Sequence, residues 1–307
     1  MQGIVTKSMG LWYQVETADG QMHNCRLKGK FKLENKKISN PVAVGDKVRL
    51  ISDQGDSSAM IIAEILPREN YIIRVSPKKK GHSHIIASNL DQAIIVATVG
   101  TPRTSLGFID RFLVTAEAFR IPATILMNKI DLLSPEELDG LKEKMVEYES
   151  LGYQVLYISA LKPEDIESLK SQLANKTSLF TGHSGVGKST IVNELAPEAQ
   201  QKTSEISDFA QKGVHTTTFA EMFKLGTDTY IIDTPGIKEL GLAEIEKDEL
   251  SHYFPELRNL MGKCKFSNCT HTHEPGCAIE TAYQDGSISP TRYDSYLSML
   301  AGDDNRR

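Results

Sequence analysis

The stretch "SLFTGHSGVGKSTIVNEL" at 178–195 constrains the fold of this chain more than any other. An apolar run enters a glycine-rich loop that opens directly into a helical pattern. Gly182, Gly187, Lys188 and Ser189 satisfy G-x-x-x-x-G-K-[ST] in the strand-loop-helix setting the motif requires. Glycines let successive N–H groups converge on α- and β-phosphate oxygens at the positive end of a helix. Lys188 then reaches the β- and γ-oxygens, and Ser189 offers a hydroxyl to Mg²⁺. The expected cradle is Gly182, His183, Ser184, Gly185, Val186, Gly187, Lys188, Ser189 and Thr190.

The segments around it alternate in the same rhythm. From residue 91 come "QAIIVATV", a helix through "FIDRFLVTAEAF", "ATILM", a helix over 135–150, "QVLYIS", the phosphate loop, and "TYIID" at 229–233. Such alternation predicts a parallel sheet covered on both faces. Residues 1 to 70 differ. Short β-prone runs, "GIVTKS", "LWYQVET", "MHNCRL" and "DKVRLI", with turns at Asp19-Gly20 and Gly45-Asp46, predict a small all-β barrel, either oligonucleotide-binding or SH3-like. "SPKKKGHSH" at 76–84 reads as a basic linker. After 245 follows a shorter, acidic, helical tail. The expected class is multidomain α/β, divided as 1–72, 73–245 and 246–307.

Charge separates the parts. Residues 1–84 carry 14 Lys+Arg against 8 Asp+Glu, a net of +6, leaving −11 for the rest of a chain whose total is −5. Arg26, Lys28, Lys30, Lys32, Lys36 and Lys37 face only Glu34, a block that suits a polyanion such as nucleic acid or a solvated lysine loop. No apolar run approaches the roughly 20 residues needed to cross a bilayer, and "MQGIVTKSMG" lacks a signal-peptide pattern, so the expected place is the reducing cytoplasm. Four cysteines there are not expected to form disulfides, and Cys25 reads as a small buried side chain on a strand.

Other motifs complete a nucleotide site. "DTPG" at 233–236 offers Asp233 to Mg²⁺ and the Gly236 N–H to the γ-phosphate. "QKGVHTTTF" at 211–219 lies where a switch loop, about 200–219, presents a threonine to Mg²⁺, with Thr217 favoured over Thr216. In "MNKID" at 127–131, the Asp131 carboxylate can accept from two adjacent guanine donors that adenine lacks. Asn128 can bond the purine edge and the Lys129 stem can cover the base, which argues for GTP over ATP. In "ISALK" at 158–162, Ser159, Ala160 and Leu161 form a second base loop, with the Ala160 N–H available to guanine O6. Ile237 stands where many GTPases place a water-orienting glutamine, so intrinsic hydrolysis should be slow; His215 is the best candidate to take over that work. In "CKFSNCTHTHEPGC", Cys264, Cys269 and Cys277 enclose His271 and His273, a donor set for one structural Zn²⁺.

"NKID", "SAL", "GHSGVGKS", "HTTT" and "DTPG" occur in the order of a circularly permuted GTPase, with the base reader ahead of the phosphate loop. With the N-terminal barrel and the Cys/His cluster, nearly the whole chain closely resembles the small-ribosomal-subunit biogenesis GTPases of bacteria. The resemblance implies an oligonucleotide-binding-type (OB) barrel, a permuted GTPase domain and a zinc domain with His271 as the fourth ligand. It also implies that the 30S subunit, bound through 16S rRNA late in its maturation, stimulates hydrolysis of GTP to GDP and phosphate, with Mg²⁺ as cofactor and His215 and Lys188 as catalytic groups. The chain is expected to act as a monomer without a membrane. The alternatives are a GTP-dependent enzyme and an RNA-binding switch unrelated to the ribosome.

Overall fold

Five short strands begin the chain, of which the second and fourth bury alternate side chains: β1 (Gln2–Met9), β2 (Trp12–Thr17), β3 (Met22–Leu27), β4 (Lys47–Ser52) and β5 (Met60–Ile65). Val5, Tyr13, Val15, Cys25, Val48, Leu50 and Ile62 share one core. β1 pairs antiparallel with both β2 and β4, β3 runs parallel to β5, and β4 pairs with β5. The strands therefore close in the order 1-2-3-5-4-1. A closed five-stranded barrel of this kind is the oligonucleotide-binding type, which decides between the two barrels left open by sequence. The computed structural model describes residues 1–28, 40–53, 59–75, 83–197, 220–234 and 245–302.

A hairpin follows that the sequence reading did not contain. β6 (Tyr71–Val75) pairs antiparallel with β7 (Ser83–Ser88), so Ser83 and His84 belong to a strand and not to a linker. The division at residue 72 falls within β6. Ile72 packs into the core of the α/β layer, whereas Ile73 and Ile85 pack with Ala43. The joint is polar as well: fully buried Asp46 accepts from Arg68 Nε and Nη2 at 2.7 Å each, from Ser88 Oγ at 2.6 Å and from the Ala43 N–H at 2.8 Å.

The α/β sheet runs β10 (Gln154–Tyr157), β9 (Ala123–Met127), β8 (Gln92–Ala97), β11 (Thr177–Gly182) and β13 (Thr229–Asp233), all parallel, then antiparallel β12 (Glu221–Gly226). Period-two burial builds its two faces. Ala93, Ile95 and Ala97 pack with α1 (Leu106–Ala118) and α2 (Pro135–Ser150), while Ile94 and Val96 pack with α3 (Pro163–Leu173) and α4 (Lys188–Leu195). The start of α2 is set by Ser134 and Glu137, which form a complete capping box, and by Pro135 at the first helical position. β12 also touches the barrel, because Lys7 of β1 pairs with Glu221.

The tail forms a short turn at Leu250–Tyr253, then α5 (Pro255–Arg258), α6 (Ala278–Gln284) and α7 (Pro290–Ala301). Phe254, Tyr293 and Tyr296 share a core with Val114 of α1. Arg292 is fully buried; its Nη1 donates to Asp110 of α1 and its Nε to Glu256, both at 2.7 Å. The Tyr148 hydroxyl donates to Asp110 at 2.9 Å, so the buried carboxylate is shared by three elements. No helix among the described residues is long and apolar enough to cross a membrane.

Candidate active site and metal centre

β11 ends at Gly182 and α4 starts at Lys188, so the residues between them form an open loop at the carboxyl edge of the sheet. A Cβ on Gly182 would lie 2.6 Å from the Val96 carbonyl oxygen. Gly187, at φ +91°, caps the helix in the left-handed region, and a Cβ there would land on the Asn128 amide. Lys188 is buried at the helix start, whereas Ser184, Ser189 and Thr190 are exposed. Its ammonium forms an ion pair with Asp233 at the end of β13. The cation expected to meet phosphate and the carboxylate expected to meet Mg²⁺ thus face each other across the loop. Thr234, the next residue, is buried and donates its hydroxyl to the Phe180 carbonyl at 2.8 Å, which fixes the strand end.

The loops of "NKID" and "SAL" meet that of "GHSGVGKS" through one side chain. Asn128, only 4% exposed, donates from Nδ2 to the Val186 carbonyl at 2.9 Å and accepts from the Ala160 N–H on Oδ1 at 3.0 Å. Each end of its amide thus makes one bond to protein, which leaves a second N–H and a second lone pair for the purine edge that the sequence offered. Lys129, at φ +63°, donates to the Gly185 carbonyl at 2.7 Å and the Thr101 carbonyl at 3.1 Å, laying its stem across the site. Asp131 is exposed, and its carboxylate makes no hydrogen bond or ion pair among the described residues. Ser159 is buried, its N–H held by Asp165 at 2.7 Å, and its hydroxyl accepts from the Leu161 N–H at 3.2 Å. His215, Thr216, Thr217, Gly236 and Ile237 lie outside the described residues, as do Lys30, Lys32, Lys36 and Lys37.

In the tail, the donor atoms of Cys264, Cys269, His271 and Cys277 all lie within 4.8 Å of one another. His271 Nδ1 is 3.6 Å from Sγ of Cys264 and 3.6 Å from Sγ of Cys277. Metal–sulfur and metal–nitrogen bonds of about 2.3 and 2.05 Å at a tetrahedral angle give a separation of about 3.6 Å, so the donors fit one tetrahedral ion. His271 takes φ +60°, and Tyr293 O–H donates to its carbonyl at 2.7 Å. His273 is exposed and points its Nδ1 at Thr272 instead. Glu274 pins the loop by accepting from the N–H groups of Thr270 and Thr272 at 2.8 and 3.1 Å.

Comparison with known proteins follows this geometry closely. The family model described as RsgA GTPase matches residues 65–243, and the RsgA N-terminal domain model matches residues 2–61. The chain belongs to the RsgA GTPase family. Its activity is that of the family, hydrolysis of GTP. The small ribosomal subunit biogenesis GTPase RsgA of Bacteroides fragilis is 50% identical over 300 residues, covering 98% of this chain and 96% of the relative. That of Cytophaga hutchinsonii is 50% identical over 307 residues, covering 100% of each chain. The crystal structure of YjeQ from Thermotoga maritima superposes with a TM-score of 0.77 at 34% identity, covering 100% of this chain and 99% of that one. YloQ, a circularly permuted GTPase, gives 0.73 at 27% identity, covering 100% and 96%.

Within this RsgA-family site, several contributors carry no motif. Asp165 holds the Ser159 loop, Thr101 anchors Lys129, and Phe108 of α1 stacks on His183 with ring centroids 3.7 Å apart. Apart from the stacked rings these are contacts to backbone atoms, which any residue type can supply, so sequence gave no signal for them. The barrel of this RsgA-family chain carries Trp12 on its outer side, with the Arg26 guanidinium 4.6 Å from the indole centroid. Met9, Trp12, Asn24 and Ala59 line a shallow hollow there.

Proposed function

We propose that the chain hydrolyses GTP in late maturation of the 30S subunit, binding 16S rRNA through its barrel and stimulated by the subunit it binds. One observation carries the nucleotide reading: Asn128 bonds the loops of "NKID", "SAL" and "GHSGVGKS" into one unit although they are scattered along the chain. In that unit Asp131, exposed beside Asn128 and Lys129, reads guanine; Gly182 to Thr190 hold the phosphates. Gly236 reports the γ-phosphate. Magnesium, when bound with GTP, neutralises charge on the β- and γ-oxygens. The oxygen donors that would hold it are Ser189, Asp233 and Thr217, hard ligands suited to that ion. Lys188 exchanges Asp233 for phosphate as nucleotide enters, so neither charge is left unpaired. His215 positions the attacking water, a role the sequence leaves open because Ile237 has no hydrogen-bonding group.

The ribosomal part rests on different support. The relatives named above are small-subunit biogenesis proteins, the barrel is of the oligonucleotide-binding type, and Trp12 backed by Arg26 suits stacking on an unpaired base. The three thiols and one imidazole suit a single structural Zn²⁺ that cross-links a tail with a small core. The three-part division into barrel, GTPase part and tail, a monomeric state and a cytoplasmic place belong to the same reading. GTP turnover with and without purified 30S subunits tests it. The parent should be slow alone and accelerated by subunits, and His215→Ala should bind GTP yet lose the acceleration; a parent indifferent to subunits would overturn the ribosomal reading.

A further inference from the structure

A row of charges crosses the seam between barrel and α/β sheet. Lys7 of β1 stands opposite Glu221 of β12, and Glu221 stands opposite Asp233 of β13, so consecutive strands set the three residues in line. Directly opposed residues share a sheet face, with Cβ atoms about 5 Å apart. Lys7 Nζ donates to Glu221 Oε1 at 2.8 Å, and Lys188 pairs with Asp233. The row therefore reads cation, carboxylate, carboxylate, cation. Side-chain exposures are 19% for Lys7, 22% for Glu221, 24% for Asp233 and 8% for Lys188, so salt screens these charges less than fully exposed ones.

We propose that Lys7 and Glu221 are positioning residues that set the charge at the Asp233 end of the nucleotide site and so link the barrel electrostatically to it. The inference rests on the GTP-site reading above. Once Lys188 turns to phosphate, Glu221 is balanced from the barrel side alone. A polyanion on the barrel that draws Lys7 away leaves one more negative charge beside Asp233. Nucleotide binding then depends more steeply on Mg²⁺, because added negative charge disfavours the bare phosphates and favours the cation. A second pair crosses the same seam and serves as a control. Lys224 pairs with Glu16, but Lys224 stands opposite Tyr230, three residues along β12 from Glu221. That is about 10 Å away, on the other face of the sheet.

The test is equilibrium affinity for a fluorescent, non-hydrolysable GTP analogue, measured with saturating Mg²⁺ and with chelator, and expressed as their ratio. Lys7→Met should raise this ratio and Glu221→Gln should lower it, each on the order of three- to tenfold. The double variant should return close to the parent, and Lys224→Met should leave the ratio unchanged. Two single variants that shift it in the same direction would show a merely structural role and overturn the proposal, as would an unmoved ratio. If Lys7→Met does not fold, the swapped pair Lys7→Glu with Glu221→Lys, which sets a cation opposite Asp233 and the anion one strand further away, should shift the ratio in the same direction as Glu221→Gln; a swapped pair that raises the ratio above the parent overturns the proposal. A parent that fails to bind the analogue contradicts the GTP-site reading itself, whereas a parent that binds with variants that do not respond sinks only this inference.

Discussion

Replacing Asn128 by alanine should disconnect the loops that make up the nucleotide site. The amide is 4% exposed and closes two hydrogen bonds, at 2.9 Å to Val186 and 3.0 Å from Ala160. Truncation leaves a carbonyl and an N–H without these partners. Each orphaned buried group costs about 1–3 kcal/mol, so the loops lose roughly 2–6 kcal/mol of mutual support. If about 3 kcal/mol of that is recovered from ligand binding, affinity falls by roughly 100-fold. Equilibrium titration with a fluorescent GDP analogue measures it, with thermal melting to show that the fold persists. Gly187→Ala attacks the same contact from the other side, because its Cβ would land on the Asn128 amide and its φ of +91° disfavours a side chain. The double variant should therefore be no worse than the poorer single one, well short of additive. Asn128→Ala binding within about threefold of the parent would refute the reasoning, since each lost bond alone should cost more than that.

Three further outcomes follow from the joints between domains. Arg292→Met leaves fully buried Asp110 without its cation and should destabilise the chain by about 3–5 kcal/mol in denaturant unfolding, with Asp110→Asn restoring part of the loss. Burial, helped by the nearby Arg74 cation, pushes the His84 imidazole down to about 4, so its folded value lies below its unfolded value. The unfolded chain then binds the extra proton first, and stability present above about pH 6.5 should be lost as pH falls towards about 4. His84→Leu should flatten that part of the melting-temperature profile. Cys264→Ser, or treatment with a strong chelator, should remove one metal ion per chain by elemental analysis and raise hydrogen exchange around α6 and α7, leaving the barrel strands protected.

Local chemistry made much of this legible in sequence. The helix expected over 135–150 is α2, and the apolar runs at Ala123–Met127 and Thr229–Asp233 are strands over those residues. What escaped was long-range or made by backbone. Asn128 meets Val186 and Ala160 at sequence separations of 58 and 32, and Asp110 meets Arg292 at 182; no periodicity reports such pairings. β6 and β7 bury Ile72, Ile73 and Ile85, yet the basic run between them reads as a linker because a hairpin needs no turn signature when both strands are held by neighbouring cores. The choice of barrel required the pairing of β1 with both β2 and β4, which is topology and leaves no mark on composition. Between His271 and His273 the decision lay in backbone, since φ +60° at His271 turns its ring towards the thiols.

The central claim is that "NKID", early in the chain, reads the base of a nucleotide whose phosphates lie on "GHSGVGKS", later in the chain. The direct measurement is competition between guanine and xanthine nucleotides for the parent and for Asp131→Asn. Asp131 is exposed and its carboxylate makes no hydrogen bond or ion pair among the described residues, so the substitution should leave the fold intact. The parent should prefer GDP over XDP, and Asp131→Asn should invert that preference while retaining phosphate-dependent affinity. Unchanged selectivity in the variant would contradict the account, because the base would then be read somewhere else.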